Sequence, residues 1–319
     1  MDLALTSLPQ VAALIAAAGV LVATGAGFFG ARVRVFDLAA HFRPHLAVAA
    51  VLIAIVTVLL FDALVGIGLA AVLAGVAMVN IAAILAERPY RADAVDGRAT
   101  TLTVGVLNVN FRNRNHAPVE HWIRQARPDV LVIVEASPPW LDVIERLADL
   151  YPHRALRHTA FVTVIARRPW ASFDVMPGPR TRQAILVAGF DVDGTTLTVI
   201  GAHPSSPTRP HRMRARDAEL EAIGRLAAAA PGPVIAMGDF NAAPWSAPMR
   251  RLVRTSPLRY PDLVVTTWPA FLPRWLGIKI DHIMLANGCT VVDYTVGPSV
   301  GSDHRPVVAA IHVEPSAGA

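Results

Sequence analysis

Hydrophobic positions follow two different rhythms along the chain. Residues 11–30 and 46–85 are almost unbroken apolar stretches. One bilayer crossing needs ~20 apolar residues, so the first stretch predicts one membrane helix and the second predicts two. Asp62, Gly66 and Gly68 mark the expected turn between that pair. A cleaved signal peptide is the competing reading of residues 11–30. It lacks a basic leader, however, and a second hairpin-length apolar block follows, so three retained helices are expected. Residues 31–45 mix Arg32, Arg34 and Arg43 with Phe36, Leu38 and Phe42, a composition suited to the headgroup level. Residues 87–100 are charged, contain Pro89 and Gly97, and read as a linker.

From residue 101 the rhythm becomes short β-rich runs alternating with amphipathic ones. Strands are predicted at 102–107, 130–134, 161–166, 184–190, 197–202, 234–237, 282–285, 290–294 and 307–313, and helices at 119–126, 140–150 and 213–229. Two of the strands flank the hairpin turn Asp193-Gly194. Others follow a helix, which favours mixed sheets covered by helices. At ~220 residues this part can bury a full core as one domain. The expected organisation is a membrane domain over 1–86, a linker over 87–100 and a globular domain over 101–319.

Composition sharpens this division. The 319 residues are 54% hydrophobic with mean hydropathy +0.45, too apolar for a soluble domain alone. Formal charge is 29 − 24 = +5, and Lys279 is the single lysine. Arginine's planar fork suits phosphate oxygens, although an Arg-biased genome gives the same composition. One cysteine, Cys289, excludes an intramolecular disulfide and a multi-cysteine zinc site.

The polar residues that carry chemistry cluster at strand ends. Asn108, Glu135, His203, Asp239, Asn241, Asp281, Asp303 and His304 each sit at or just after an apolar run. A packed sheet fixes such groups with the accuracy that metal-assisted phosphoryl chemistry needs. Glu135 closes the run Val130-Leu131-Val132-Ile133-Val134, where a hard cation would compensate a costly carboxylate. Asp239 and Asn241, two apart in Gly238-Asp239-Phe240-Asn241, would share one face of an extended chain. In Ser302-Asp303-His304-Arg305-Pro306 a carboxylate adjoins an imidazole, and His304 is the site histidine. His282, beside Asp281, falls on the opposite strand face and is excluded.

This ordered set resembles the endonuclease/exonuclease/phosphatase superfamily, which includes deoxyribonuclease I-like nucleases, abasic-site endonucleases, inositol-polyphosphate phosphatases and neutral sphingomyelinases. The resemblance covers residues 101 to about 313. It implies a four-layer α/β sandwich of two mixed sheets flanked by helices, and a Mg²⁺ cofactor with Mn²⁺ as substitute. It places Asn108 and Glu135 at the metal, with Asp303 a second metal or site-organising carboxylate. His203 and Asn241 become donors to phosphoryl oxygens, Asp239 aligns the attacking water, and His304 pairs with Asp281. Asn110 stands where several nucleases carry aspartate, and the tyrosine that some place near the scissile phosphate has no counterpart in 161–166. The front half, with Phe36-Asp37-Leu38 and His41-Phe42-Arg43-Pro44-His45, together with Thr267-Trp268-Pro269 and Ile280-Asp281-His282 further on, is similar to a membrane-anchored bacterial branch that includes proteins associated with glycopeptide-antibiotic resistance.

The leading expectation is therefore a membrane-tethered, multi-pass phosphoesterase acting on a phosphodiester, phosphomonoester or pyrophosphate carried by a lipid. A nuclease is the alternative enzyme, with residues 209–216 as a basic contact for a nucleic-acid backbone. A non-catalytic membrane binding protein is the alternative of another class, and the intact Glu135, Asp239, Asn241, Asp303 and His304 argue against it. A transporter is disfavoured, because Asp62 and Asn80 alone offer little for a substrate path. Arg32, Arg34, Arg43, Arg88, Arg91 and Arg98 put the catalytic domain on the cytoplasmic side by the positive-inside rule. The membrane-anchored relatives imply the opposite side.

Overall fold

Apolar continuity in the sequence becomes helix in the computed structural model, which describes residues 7–87, 100–155, 161–180, 183–262 and 265–314. By compactness the chain divides into one unit of Met1–Arg88 with Ala243–Arg250 and another of Pro89–Ala242 with Arg251–Ala319. The linker expected at 87–100 lies outside the described residues apart from its two ends, as do Arg88, Arg91 and Arg98.

The first unit contains α1 (Leu8–Phe29), a short α2 (Asp37–Ala40), α3 (Arg43–Leu60) and α4 (Ala63–Leu85). Of these, α1, α3 and α4 are long and apolar enough to cross a membrane. Asp62 makes the expected turn by capping α4, its Oδ1 accepting from the backbone N–H groups of Leu64 and Val65 at 3.2 Å. Gly66 and Gly68 lie inside α4 and not in the turn. Gly66 instead lets two helices approach, since a Cβ there would stand 3.0 Å from the Thr57 carbonyl oxygen and 3.2 Å from Val58 Cα.

Arg43 also departs from expectation. It is buried at the start of α3, with Nη1 donating to Asn80 Oδ1 at 3.3 Å and its guanidinium 4.1 Å from the Phe28 ring centroid. Asn80 in turn donates to Thr24 Oγ1 at 2.9 Å, so polar side chains inside this apolar bundle are linked to one another. Residues 243–250 join this unit through Asp37, whose Oδ1 accepts the Ala247 N–H at 2.7 Å, and through an Arg250–Glu87 ion pair of 2.9 Å.

The second unit is a sandwich of two mixed sheets. One runs in the order β10 (Cys289–Val296), β11 (Val307–Val313), β1 (Thr100–Asn108), β2 (Val130–Val134), β4 (Val162–Ala166), β3 (His153–Arg154). The other runs β5 (Ser172–Pro177), β6 (Ala184–Val192), β7 (Thr195–Ala202), β8 (Val234–Asp239), β9 (Asp281–Ala286). Alternate residues of both sheets, among them Val104, Val132, Val164, Leu186, Val199 and Met237, form one core between them. The outer face of the first sheet packs Leu131 and Ile133 against α5 (Ala117–Ala126) and α6 (Pro138–Glu145). Against the second sheet lies α7 (Pro210–Ala229), burying Met213, Leu220, Ile223 and Ala227.

Four elements have no expected counterpart: α2, β3, β5 and α8 (Ala247–Thr255). β5 is an edge strand with mostly exposed residues, so it needs no apolar alternation. The expected helix at 140–150 stops at Glu145 and continues as turns.

Lys279, which precedes β9, is buried with Nζ donating to the Asp262 carbonyl oxygen at 2.7 Å and lying 4.5 Å from the Tyr294 ring centroid. Burial lowers its pKa from 10.5 to about 8, against the opposing pull of Asp262 and Asp281. The unfolded chain therefore holds this proton up to a higher pH than the folded one. Stability should rise with pH between about 8 and 10.5, recovering about 3 kcal/mol. Lys279→Met is expected to flatten that rise in denaturant unfolding measured across this window; equal slopes in the two proteins would contradict it.

Candidate active site

Strand pairing brings the polar ends together. β1 and β2 run parallel with Asn108 opposite Val134, so Asn108 and the next residue of the neighbour, Glu135, emerge side by side. In the second sheet β7 and β8 are also parallel, placing His203 just beyond β7 near Asp239 at the end of β8. Asp239 lies opposite Asp281 on antiparallel β9. Gly238 permits this closeness: a Cβ there would stand 1.8 Å from the Ala202 carbonyl oxygen. Glu135 and Asn241 take left-handed backbone angles, φ 59° and 51°, a strain that folded structure sustains where it aims side chains.

Two carboxylates converge on one amide. Asn108 Nδ2 donates to Glu135 Oε1 at 3.1 Å and to Asp239 Oδ2 at 3.0 Å. His203 Nε2 lies 3.8 Å and 3.6 Å from the same two oxygens. Asp239 Oδ1 accepts the Asn241 N–H at 2.9 Å. On the other side of Asp239, His304 Nε2 lies 3.8 Å from Oδ2, while His304 Nδ1 is 2.8 Å from Asp281 Oδ2. Ser302 Oγ donates to the Asn108 carbonyl oxygen at 2.7 Å and accepts the His304 N–H at 3.1 Å, tying the end of β1 to the segment that carries His304.

Protonation follows from these neighbours. Burial alone would push His304 down, but Asp281 and Asp239 outweigh it and raise its pKa to about 10. Burial would push Asp239 up, yet His304 and His203 hold it down at about 2. His203 is raised on balance, with burial opposing the hydrogen bond and charge of Asp239. The site therefore holds an ionised carboxylate between two imidazoles that favour their charged forms. His304 Nε2 faces Asn108 Nδ2 at 3.4 Å, a hydrogen bond only for a neutral ring; the two carboxylates favour the imidazolium.

The donor set fits a hard divalent cation. Single ligand atoms of Glu135, His203 and Asp239 lie within 4.8 Å of one another, as do those of Asp239, Asp281 and His304. In the first group two carboxylate oxygens already point at one partly positive amide group, the electrostatic arrangement that a cation would satisfy more fully.

Asp303 stands apart from both groups among the described residues. Its Oδ1 accepts Asn110 Nδ2 at 2.8 Å and its Oδ2 accepts Trp268 Nε1 at 3.2 Å. Asn241 does not share an extended face with Asp239, because its backbone turns left-handed and its Nδ2 donates to the Pro204 carbonyl oxygen at 3.0 Å. His282 points away as expected, with Nε2 2.8 Å from the Ala242 carbonyl oxygen and its ring stacked on Phe240. Arg216, in the basic segment, is buried and paired with Asp217 at 3.0 Å, whereas Arg209, His211, Arg212 and Arg214 are exposed.

Residues noted above only through the family resemblance complete the site. Thr267 Oγ1 accepts the N–H groups of Ile280 and Asp281 at 3.3 and 3.2 Å, and Trp268 and Asn110 fix Asp303. They come from loops, where no periodicity announces a role.

Comparison with known proteins agrees with this geometry. The chain belongs to the endonuclease/exonuclease/phosphatase family, whose model matches residues 105–304. Members hydrolyse phosphoester bonds and generally depend on a divalent metal. The structure is similar to an endonuclease/exonuclease/phosphatase from Beutenbergia cavernae, with TM-score 0.55 and 19% identity over 69% of this chain and 73% of that one. It is also similar to truncated TDP2 of Caenorhabditis elegans, with TM-score 0.55 and 17% identity over 67% and 98% of the two chains. A third similar structure is D. rerio TDP2 complexed with single strand DNA product, with TM-score 0.53 and 17% identity over 66% and 99%. At these identities the likeness is one of fold. No curated protein sequence matches the chain.

Proposed function

We propose that the chain is a membrane-tethered, Mg²⁺-dependent phosphoesterase, with its catalytic domain over 101–319 acting on a phosphate or pyrophosphate carried by a membrane lipid. The observation that carries this reading is the meeting of Asn108, Glu135, His203, Asp239 and the His304–Asp281 pair at the ends of strands from both sheets. Three candidate spans in the same chain support the lipid half of the proposal.

Glu135, with Asn108 beside it, would hold the cation, which supplies charge neutralisation of the scissile phosphate when bound. Asp239, ionised far below neutral pH, accepts a hydrogen bond from the attacking water and aligns it. The water oxygen forms the new bond to phosphorus as the bond to the leaving oxygen breaks, and the proton the water loses passes through Asp239 to solvent. His304, held protonated by Asp281, gives its Nε2 proton to that departing oxygen. His203 donates to a phosphoryl oxygen. Asn241, whose amide is engaged by Pro204, positions Asp239 through its backbone N–H. Asp303, with both oxygens accepting hydrogen bonds, organises the site edge.

A nuclease is the second reading, favoured by the exposed Arg209, His211, Arg212 and Arg214 and by the DNA product that one fold relative is described with. Full-length protein assayed on phospholipid and polyprenyl pyrophosphate vesicles, and separately on single-stranded DNA and RNA, separates the two. Turnover confined to the lipid substrates is expected. Nucleic-acid cleavage that falls steeply with salt, without lipid-phosphate turnover, would replace the lipid reading with the nuclease one.

A further inference from the structure

The loop at 266–277, between α8 and β9, is braced by hydrogen bonds yet apolar at its surface. Thr266 Oγ1 donates to the Arg274 carbonyl oxygen at 2.6 Å, and Leu276 and Gly277 N–H groups close turns on Pro273 and Arg274 at 2.9 and 3.0 Å. Arg274 Nη2 is fixed on the carbonyl oxygens of Val296 and Gly297 at 2.9 and 3.1 Å. Despite this bracing, Phe271 and Trp275 are each 76% exposed, the most exposed aromatic side chains among the described residues. A braced loop cannot fold its rings away, so their exposed area stays in water unless a partner covers it.

The loop is continuous with the candidate site. Ala270 N–H donates to the Asp303 carbonyl oxygen at 2.7 Å, and Arg305 Nη2 donates back to the Ala270 carbonyl oxygen at 2.8 Å. On the Glu135 side, the half-exposed Phe111 donates its N–H to Glu135 Oε2 at 3.1 Å. Exposed aromatic residues therefore adjoin backbone that is hydrogen-bonded to two site carboxylate residues. Arg274, in the same loop, supplies a cation beside Trp275.

We propose that loop 266–277 is a membrane-contacting element of the catalytic domain, in which Phe271 and Trp275 enter the boundary of headgroups and acyl chains and Arg274 meets lipid phosphate. An aromatic ring with a polar handle beside an arginine is the chemistry of a bilayer interface. Covalent continuity with three candidate spans keeps a bilayer within reach of this loop. The contact presents the Asp303 edge of the site to lipid headgroups. This consequence rests on the lipid-substrate reading, whereas the contact itself does not.

The test uses full-length protein reconstituted into vesicles of phosphatidylcholine and phosphatidylglycerol, with or without acyl-brominated phosphatidylcholine as a fluorescence quencher. Comparing wild type with Trp275→Phe isolates the signal of Trp275 from the other tryptophans. Greater quenching by brominated lipid in wild type than in the variant is expected. The double variant Phe271→Ser/Trp275→Ser should also raise KM for vesicle-borne polyprenyl pyrophosphate about tenfold, with turnover of soluble bis(p-nitrophenyl) phosphate unchanged. Identical quenching in wild type and Trp275→Phe would overturn the proposal. So would quenching of Trp275 by single-stranded DNA in place of lipid, the mark of base stacking, or concentration-dependent quenching by a second copy of the chain. Lipid quenching without turnover of any vesicle-borne substrate would keep the membrane contact and remove the lipid-substrate reading.

Discussion

Asp239→Asn is expected to lower phosphoester turnover by about three orders of magnitude or more while the protein stays folded. The substitution keeps shape and keeps an oxygen for the Asn241 N–H that Asp239 accepts at 2.9 Å. It removes the negative charge that faces Asn108, His203 and His304 together. Two consequences follow at once: the attacking water loses its acceptor, and the His304 imidazolium loses one of the two carboxylates that hold its proton. Some stability should be lost, since the charge that faces two imidazoles favouring their charged forms is gone, while the retained carboxamide can still hydrogen-bond. Thermal melting alongside a turnover assay separates these effects. A normally folded Asp239→Asn protein with full activity would show that the reacting centre lies elsewhere.

Exhaustive chelation is expected to lower turnover more than about a hundredfold, with recovery on adding Mg²⁺ or Mn²⁺. Hard carboxylate oxygens of Glu135 and Asp239, within 4.8 Å of each other, are the donors such a cation needs. Glu135→Gln should shift the metal concentration needed for half-recovery upward by about tenfold or more, because a neutral amide replaces a charged ligand. Titrating metal back into the chelated wild type and variant measures both effects. An unchanged half-recovery concentration in Glu135→Gln would remove that residue from the metal site.

Much of this architecture was legible because the relevant signals are local. The fully buried Val130–Val134 and the alternately buried Val307–Val313 are dominated by β-branched and apolar residues, and their observed bounds match the expected ones. The site residues were legible for a related reason: a polar group at the end of such a run stands out. What could not be read depends on contacts distant in sequence. β5 hydrogen-bonds along a sheet edge without burying a face, so its composition carries no alternation. Arg43 looks interfacial by composition, and only Asn80, 37 residues away, provides its buried partner. Asn241 is two residues from Asp239, the spacing of a shared strand face, but its backbone turns left-handed there. Thr267, Trp268 and Asn110 reach the site from loops whose course is fixed by tertiary hydrogen bonds.

One measurement tests the central claim most directly: release of p-nitrophenol from bis(p-nitrophenyl) phosphate by purified full-length wild type and Asp239→Asn, each after chelation and again after saturating Mg²⁺. The account predicts substantial release in one of the four conditions only, wild type with Mg²⁺, with both proteins folded at the assay temperature. Equal release by wild type and Asp239→Asn, or release by chelated wild type that Mg²⁺ does not increase, would contradict a metal-dependent phosphoesterase centred on Asp239.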